Sequence, residues 1–196
     1  DLIELEDLYL PYKPRRRTRA ESARLSGLEP LAKIIMSQHG DDIEYRARKF
    51  VNDNVKSVDD AILGAKDIIA GWVSESANAR NRVRSIYART AALVCKVVKG
   101  KELQGEKFSN YFNTEELLKR CASHRLLAML RGEAEGVLKL NLKADDSEVL
   151  EKLYKMFVKG SGMSSRMVSS AIEDSYKRLI KPSIETEMMN AAKQEA

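Results

Sequence analysis

Apolar residues recur at spacings of three and four in one segment after another, and this periodicity constrains the chain to helices. Val58, Ala61, Ile62, Ala65, Ile68, Ile69 and Trp72 form the clearest series. At about 100° per residue they make one stripe on a helix, with Trp72 expected as a core anchor. Val149, Leu150, Leu153, Met156 and Phe157 repeat the pattern, as do Val168, Ala171, Ile172, Ser175 and Leu179. Aromatics at 6% and charged residues at 32% suit helices better than sheets.

Punctuation residues place the helix ends. Thr18 with Glu21 has capping-box spacing, and Gly27 can close that short helix. Pro30 falls in the first turn of a second helix, and a third is expected over 43–51. Three short helices with tight turns resemble a helix-turn-helix. Ser57 with Asp60 opens the long helix at 58–72. The next is read as running over 78–98, and short helices are expected at 115–120 and after Ser123. Leu138, Leu140 and Leu142 alternate with Lys139 and Asn141, the one clear strand pattern. Its partner is expected in 93–110 or in parts of the protein beyond this sequence. Asp145 and Ser164 or Ser165 open two further helices, and Pro182 kinks the last. Before residue 17, residues 1–10 are helix-spaced, and Pro11 and Pro14 make 11–17 an extended basic connector. The expected class is mainly α: a multi-helix scaffold with a small helix-turn-helix-like module and at most one short β-strand or hairpin.

Chemistry-bearing motifs are sparse. Neither a phosphate loop, a dinucleotide fingerprint nor a nucleophile elbow occurs. The two histidines, His39 and His124, and the two cysteines, Cys95 and Cys121, lack metal-site spacing. Each histidine is read as a helix-end residue and each cysteine as a reduced core residue. Adjacent acids at Asp145 and Asp146 suit a helix N-terminus and need no metal. The expectation is no enzyme, no cofactor and no metal. No apolar run approaches the roughly 20 residues of a membrane span. With no leader in the sequence, a cytoplasmic piece cut from a longer chain is expected.

Charge is the informative feature. Six bases against Glu21 crowd residues 11–25, and that excess equals the net charge of +5. Seven bases and no acid occupy residues 76–101. Arg82, Arg89 and Lys96 recur every seven residues, which on a continuous helix makes one stripe beside its apolar face. Two basic stretches, the second of them acid-free, suit a polyanion partner. For Arg82, Arg89 and Lys96 the alternative is a wet rim whose long stems cover the core edge, and for the connector it is arginines that bridge neighbouring helices.

Residues 5–20, Leu-Glu-Asp-Leu-Tyr-Leu-Pro-Tyr-Lys-Pro-Arg-Arg-Arg-Thr-Arg-Ala, carry a family resemblance. They resemble the signature segment of the Tex family of bacterial transcription accessory proteins. Gly27-Leu-Glu-Pro-Leu-Ala32, the run from Ala61 to Ile69, and Ser123-His-Arg125 follow in the family's order, with Arg131-Gly132, Glu135-Gly-Val-Leu138 and Pro182 after them. Residues 143–163 carry nothing distinctive. The resemblance implies a helical region followed, in larger proteins, by RNase H-like, helix-hairpin-helix and S1 domains. It implies a scaffold over 1–27 and 107–196, with an inserted helix-turn-helix-like module over 28–106. It also implies that the main nucleic-acid binder, the S1 domain, lies outside this sequence.

Two functions follow as expectations. In the first, the chain is a scaffold of an RNA-binding transcription factor with auxiliary phosphate contacts. The contacts would come from Lys13, Arg15, Arg16, Arg17 and Arg19, and from Arg82, Arg89 and Lys96. RNA or DNA, through the full-length protein, is then the partner, with the transcription machinery and the chain's other domains, on a monomer. In the second, the chain is a protein-interaction or spacer domain with no nucleic-acid binding.

Overall fold

The computed structural model describes residues 17–196. The expected first helix, most of the connector, and Lys13, Arg15 and Arg16 lie outside the described residues. Nine α-helices and three strands follow. They are α1 (Arg19–Leu25), α2 (Glu29–Ser37), α3 (Ile43–Ala47), α4 (Val58–Glu75), α5 (Ala77–Thr90), β1 (Ala92–Val97), β2 (Thr114–Leu117), α6 (Ser123–Ala134), β3 (Leu138–Lys143), α7 (Asp146–Phe157), α8 (Met163–Ser175) and α9 (Lys181–Glu195).

The caps explain the starts. Thr18 and Glu21 exchange both capping-box bonds ahead of α1, and Gly27 takes φ +83 after it. The Ser57 side chain accepts from the Asp60 N–H before α4, and that of Asp145 from the Glu148 N–H before α7. The third helix is shorter than expected: α3 stops at Ala47 and a 3-10 turn, Arg48–Phe50, completes it.

The class is mainly α, but the sheet exceeds one strand or hairpin. Its three antiparallel strands run in the order β2-β1-β3. Two stretches read as helix are strands. Residues 78–98 divide at Ala91, whose ψ of 124° leaves the helix, and 92–97 become β1. The β-branched Val94 and Val97 favour strand there, and Leu93, Cys95 and Val97 alternate toward one face. Residues 115–120 divide into β2 and a 3-10 turn. Asn113, at φ +53, turns the chain back so that Thr114 pairs with Cys95. The partner of the expected strand is β1, Cys95 opposite Leu140 and Val97 opposite Leu138.

Packing forms two adjoining cores. The first holds Leu31, Ile35, Ile43, Ile68, Ile69, Tyr87, Leu153, Ile172 and Tyr176, with α4 packed among α1, α2 and α8. It runs across the boundaries expected at 27/28 and 106/107, since Ala23, Leu28, Val149 and Val168 all belong to it. The second lies between the sheet and α6, around Leu93, Cys95, Phe108, Met129 and Leu138. Met188 of α9 packs against both.

Between α8 and α9 a π-helical turn, Tyr176–Ile180, keeps the helix continuous where a kink at Pro182 was expected. Pro182 has no N–H for the Arg178 carbonyl, and a widened turn accommodates the missing bond. The fully buried Tyr176 hydroxyl lies 2.8 Å from that of Tyr87 and donates to the Asp146 carboxylate at 2.6 Å. Lys181 reaches the other oxygen of Asp146 at 3.0 Å. One polar chain thus ties α5, α7, α8 and α9 together.

That chain sets an acid dependence. Burial alone would raise the Asp146 carboxyl. The bonds from Tyr176 and Lys181 and the charges of Lys181 and Lys177 outweigh it and hold the group below 3.8. Its stabilisation is therefore present above the ordinary carboxylate range and is lost as pH falls through the depressed value. Asp146→Asn should unfold at lower urea than the unsubstituted chain at pH about 6, and the gap should narrow below pH about 4. A gap of constant size in urea titrations would refute this.

Candidate nucleic-acid interface

The acid-free basic stretch 76–101 does not act as one surface. Three of its arginines turn inward to neighbouring helices. Arg80 donates to the Ser74 carbonyl and, at 2.9 Å, to the Ser183 hydroxyl of α9. Arg84 grips Glu187 of α9 with two bonds, at 2.6 and 3.0 Å. Arg89 pairs with Glu148 of α7. These residues join α5 to both later helices. Each exposed pair contributes only about 0–1 kcal/mol, so their worth is in fixing orientation.

Arg82 points elsewhere. It shares with Arg89 a cleft of about 360 Å³ between α5 and α7, where Lys152 and Lys155 face Glu148 and Glu151. Lys155 is tied to Glu151 at 3.3 Å. Among the described residues no ion pair engages Arg82 or Lys152. The cleft is of mixed sign with a small positive excess.

Arg17 and Arg19 line a different cleft, of about 350 Å³, against α4. Asp60 and Asp67 share it. Burial pushes the Asp67 carboxyl up, the charges of Arg178 and Arg19 pull it down, and Asp174 adds to the rise. The end of the basic connector therefore lands beside carboxylates, which suits protein packing at least as well as phosphate.

Lys96 is not on the helix of Arg82 and Arg89, so the three-residue stripe dissolves. It stands on the central strand β1, exposed, directly opposite the exposed Lys139 of β3. Lys143 follows on the same outward face of β3 and reaches Glu115 of β2 at 3.8 Å. Of the predicted residues in the described part, the fold brings Arg82 and Arg89 together and Arg17 and Arg19 together, and leaves Lys96 with new neighbours.

Sequence reasoning missed Lys139, Lys143 and Lys152. The first two had a signal, because the alternation of Leu138, Leu140 and Leu142 turns Lys139 and Lys143 to the opposite face. Their meeting with Lys96 depends on a register no local pattern reports. Lys152 became informative only once α7 lay beside α5.

Burial governs the two cysteines. Cys95 is buried, and burial pushes its thiol up to about 11. Cys121 also rises to about 11, through burial and the neighbouring Glu116, whose carboxylate accepts its S–H at 3.6 Å. Neither is activated as a nucleophile. His39 and His124 are exposed, beyond the end of α2 and in the first turn of α6. Among the described residues no group of His, Cys, Asp or Glu could hold a metal ion, and no helix is long and apolar enough to cross a membrane.

The family described as "Tex central region-like" matches residues 38–196. The transcriptional accessory protein Tex of Neisseria gonorrhoeae is 41% identical over 150 residues, covering 76% of this chain and 20% of that protein. Protein YhgF of Escherichia coli is 46% identical over 144 residues, 72% of this chain and 19% of the relative. YdcI of Bacillus subtilis, uncharacterised, is 35% identical over 202 residues, all of this chain and 28% of the relative. The chain thus spans about a fifth to a quarter of the length of these relatives.

Proposed function

The chain belongs to the Tex family, over its central region, and on that premise we propose that it is the helical scaffold of a cytoplasmic, nucleic-acid-binding transcription accessory protein. One observation carries the scaffold part. Arg80, Arg84 and Arg89, in the most basic stretch of the described residues, join α5 to α7 and α9. The scaffold makes auxiliary, sequence-independent contacts to RNA or DNA phosphates, from the connector and from outward residues such as Arg82. It has no catalytic activity or cofactor of its own and acts as a monomer beside the transcription machinery and the protein's other domains. The name of the gonococcal relative supports the transcriptional setting.

A second reading rests on Asp60 and Asp67 beside Arg17 and Arg19. In it the connector packs on its own helices and the region is a spacer.

Binding of the chain to labelled single-stranded RNA and duplex DNA across a salt series separates the two. The expected slope of log affinity on log salt corresponds to about three or more phosphates, at ~0.7 per contact for a single strand. Changing Arg15, Arg16, Arg17 and Arg19 together to Glu, or Arg82 to Glu, should flatten it. No binding near physiological salt would leave the spacer.

A further inference from the structure

The outward face of the sheet contains an arrangement that folding alone does not favour. Lys96 and Lys139 are directly opposed across β1 and β3, where like charges stand about 5 Å apart at Cβ and destabilise the pair. Lys143 lies four residues further along β3 on the same face. Opposite Val94 in the same outward row are Glu115 and Asn141. Glu115 reaches Lys143, and among the described residues no ion pair engages Lys96 or Lys139.

Lysines on sheets often guard an edge against further strand pairing. That explanation fits β3 but not Lys96, because β1 is the middle strand and has no edge to guard. On β3 the Leu140 N–H is already taken, at 3.0 Å, by the Glu133 carboxylate. An anion bound between the two ammonium groups would relieve the opposed pair.

We propose that this face, centred on Lys96 and Lys139 and flanked by Lys143, is a docking surface for the phosphodiester backbone of nucleic acid. The proposal rests on the nucleic-acid reading above and gives it a location. Complementary charge commits the face to a polyanion. Its side chains favour nucleic acid over an acidic protein segment. Protein interfaces are depleted in Lys and anchored by aromatics and Arg, and this face has neither anchor. Lysine ammonium groups are suited to phosphate as point charges. Without an aromatic to stack on, bases are not read, so binding is indifferent to sequence.

The test is fluorescence anisotropy of the chain with a labelled single-stranded RNA and a duplex DNA at several salt concentrations. Unsubstituted chain, Lys96→Gln/Lys139→Gln and Arg82→Gln are compared, with polyglutamate as competitor. The double variant should bind RNA about tenfold or more weakly at low salt and lower the slope by about 1.4, the value of two single-strand contacts. Its melting temperature should hold or rise, since a repulsion is removed, which separates lost binding from unfolding. Unchanged affinity and slope in the double variant, with RNA still bound by the chain, would overturn the sheet face and leave the broader reading standing. Failure of the unsubstituted chain to bind would overturn both. A double variant that loses polyglutamate but keeps RNA would overturn the proposal in favour of an acidic protein partner.

Discussion

Tyr176→Ala should produce the largest loss of stability of any single change considered, enough to unfold a marginal domain. The ring is fully buried in the first core, in the π-helical turn that joins α8 to α9. Removing a buried aromatic ring costs about 3–5 kcal/mol through lost transfer energy and the cavity left behind. The hydroxyl adds a separate penalty. The buried Tyr87 hydroxyl loses its partner, at about 1–3 kcal/mol for a group left unsatisfied, while the half-exposed Asp146 carboxylate keeps Lys181. Tyr176→Phe separates the two contributions, because it keeps the ring and removes only the bonds. The expected order in urea midpoint is unsubstituted chain, then Phe, then Ala. A Phe variant as stable as the parent would mean the polar chain contributes nothing net. In either variant the Tyr87 O–H, which donates to the Tyr176 hydroxyl because the single Tyr176 proton goes to Asp146, loses its acceptor.

Gly132→Val should give the second largest loss, located in the other core. Gly132 is buried in α6 where the helix presses on β3, and an added Cβ would come 2.3 Å from Leu138 Cδ1 and 2.7 Å from its Cγ. Leu138 is itself buried opposite Val97 and cannot simply swing away. Overpacking of this kind costs about 1–3 kcal/mol, and a β-branched residue on the helix works against relaxation. Gly132→Ala meets the same Cβ clash without the branch and should lose less. If Leu138 yields, β3 shifts against β1 and the Lys96–Lys139 pair shifts with it. Gly132→Val should therefore weaken RNA binding as well as lower the melting temperature. A variant with a normal melting curve would show that the helix can move off the sheet at little cost.

How much of this was legible beforehand differs between elements. The caps at Thr18, Ser57 and Asp145 and the stop at Gly27 were readable because each is a local bond between residues a few positions apart. The stripe of α4 and the alternation of β3 were readable for the same reason, since periodicity alone fixes which side faces inward. The chain's membership in the Tex family was likewise in the sequence, and the match over residues 38–196 agrees with it. Residues 92–97 and 115–117 were misread as helix because they are too short for a period to speak, and pairing between strands decided them.

The candidate site divides in the same way. Basic stretches are visible in a sequence as composition, but not the direction in which each side chain turns. The sequence by itself determined that the chain is mainly helical, where most of its helices begin, and that its excess charge is gathered in the connector. Only the tertiary structure decided that Arg80, Arg84 and Arg89 reach α7 and α9, that Arg17 and Arg19 share a cleft with Asp60 and Asp67, and that Lys96 faces Lys139. Each of those pairings joins residues more than forty positions apart. Such contacts arise from the packing of whole helices and the register of β1 against β3, which no local preference along the chain encodes.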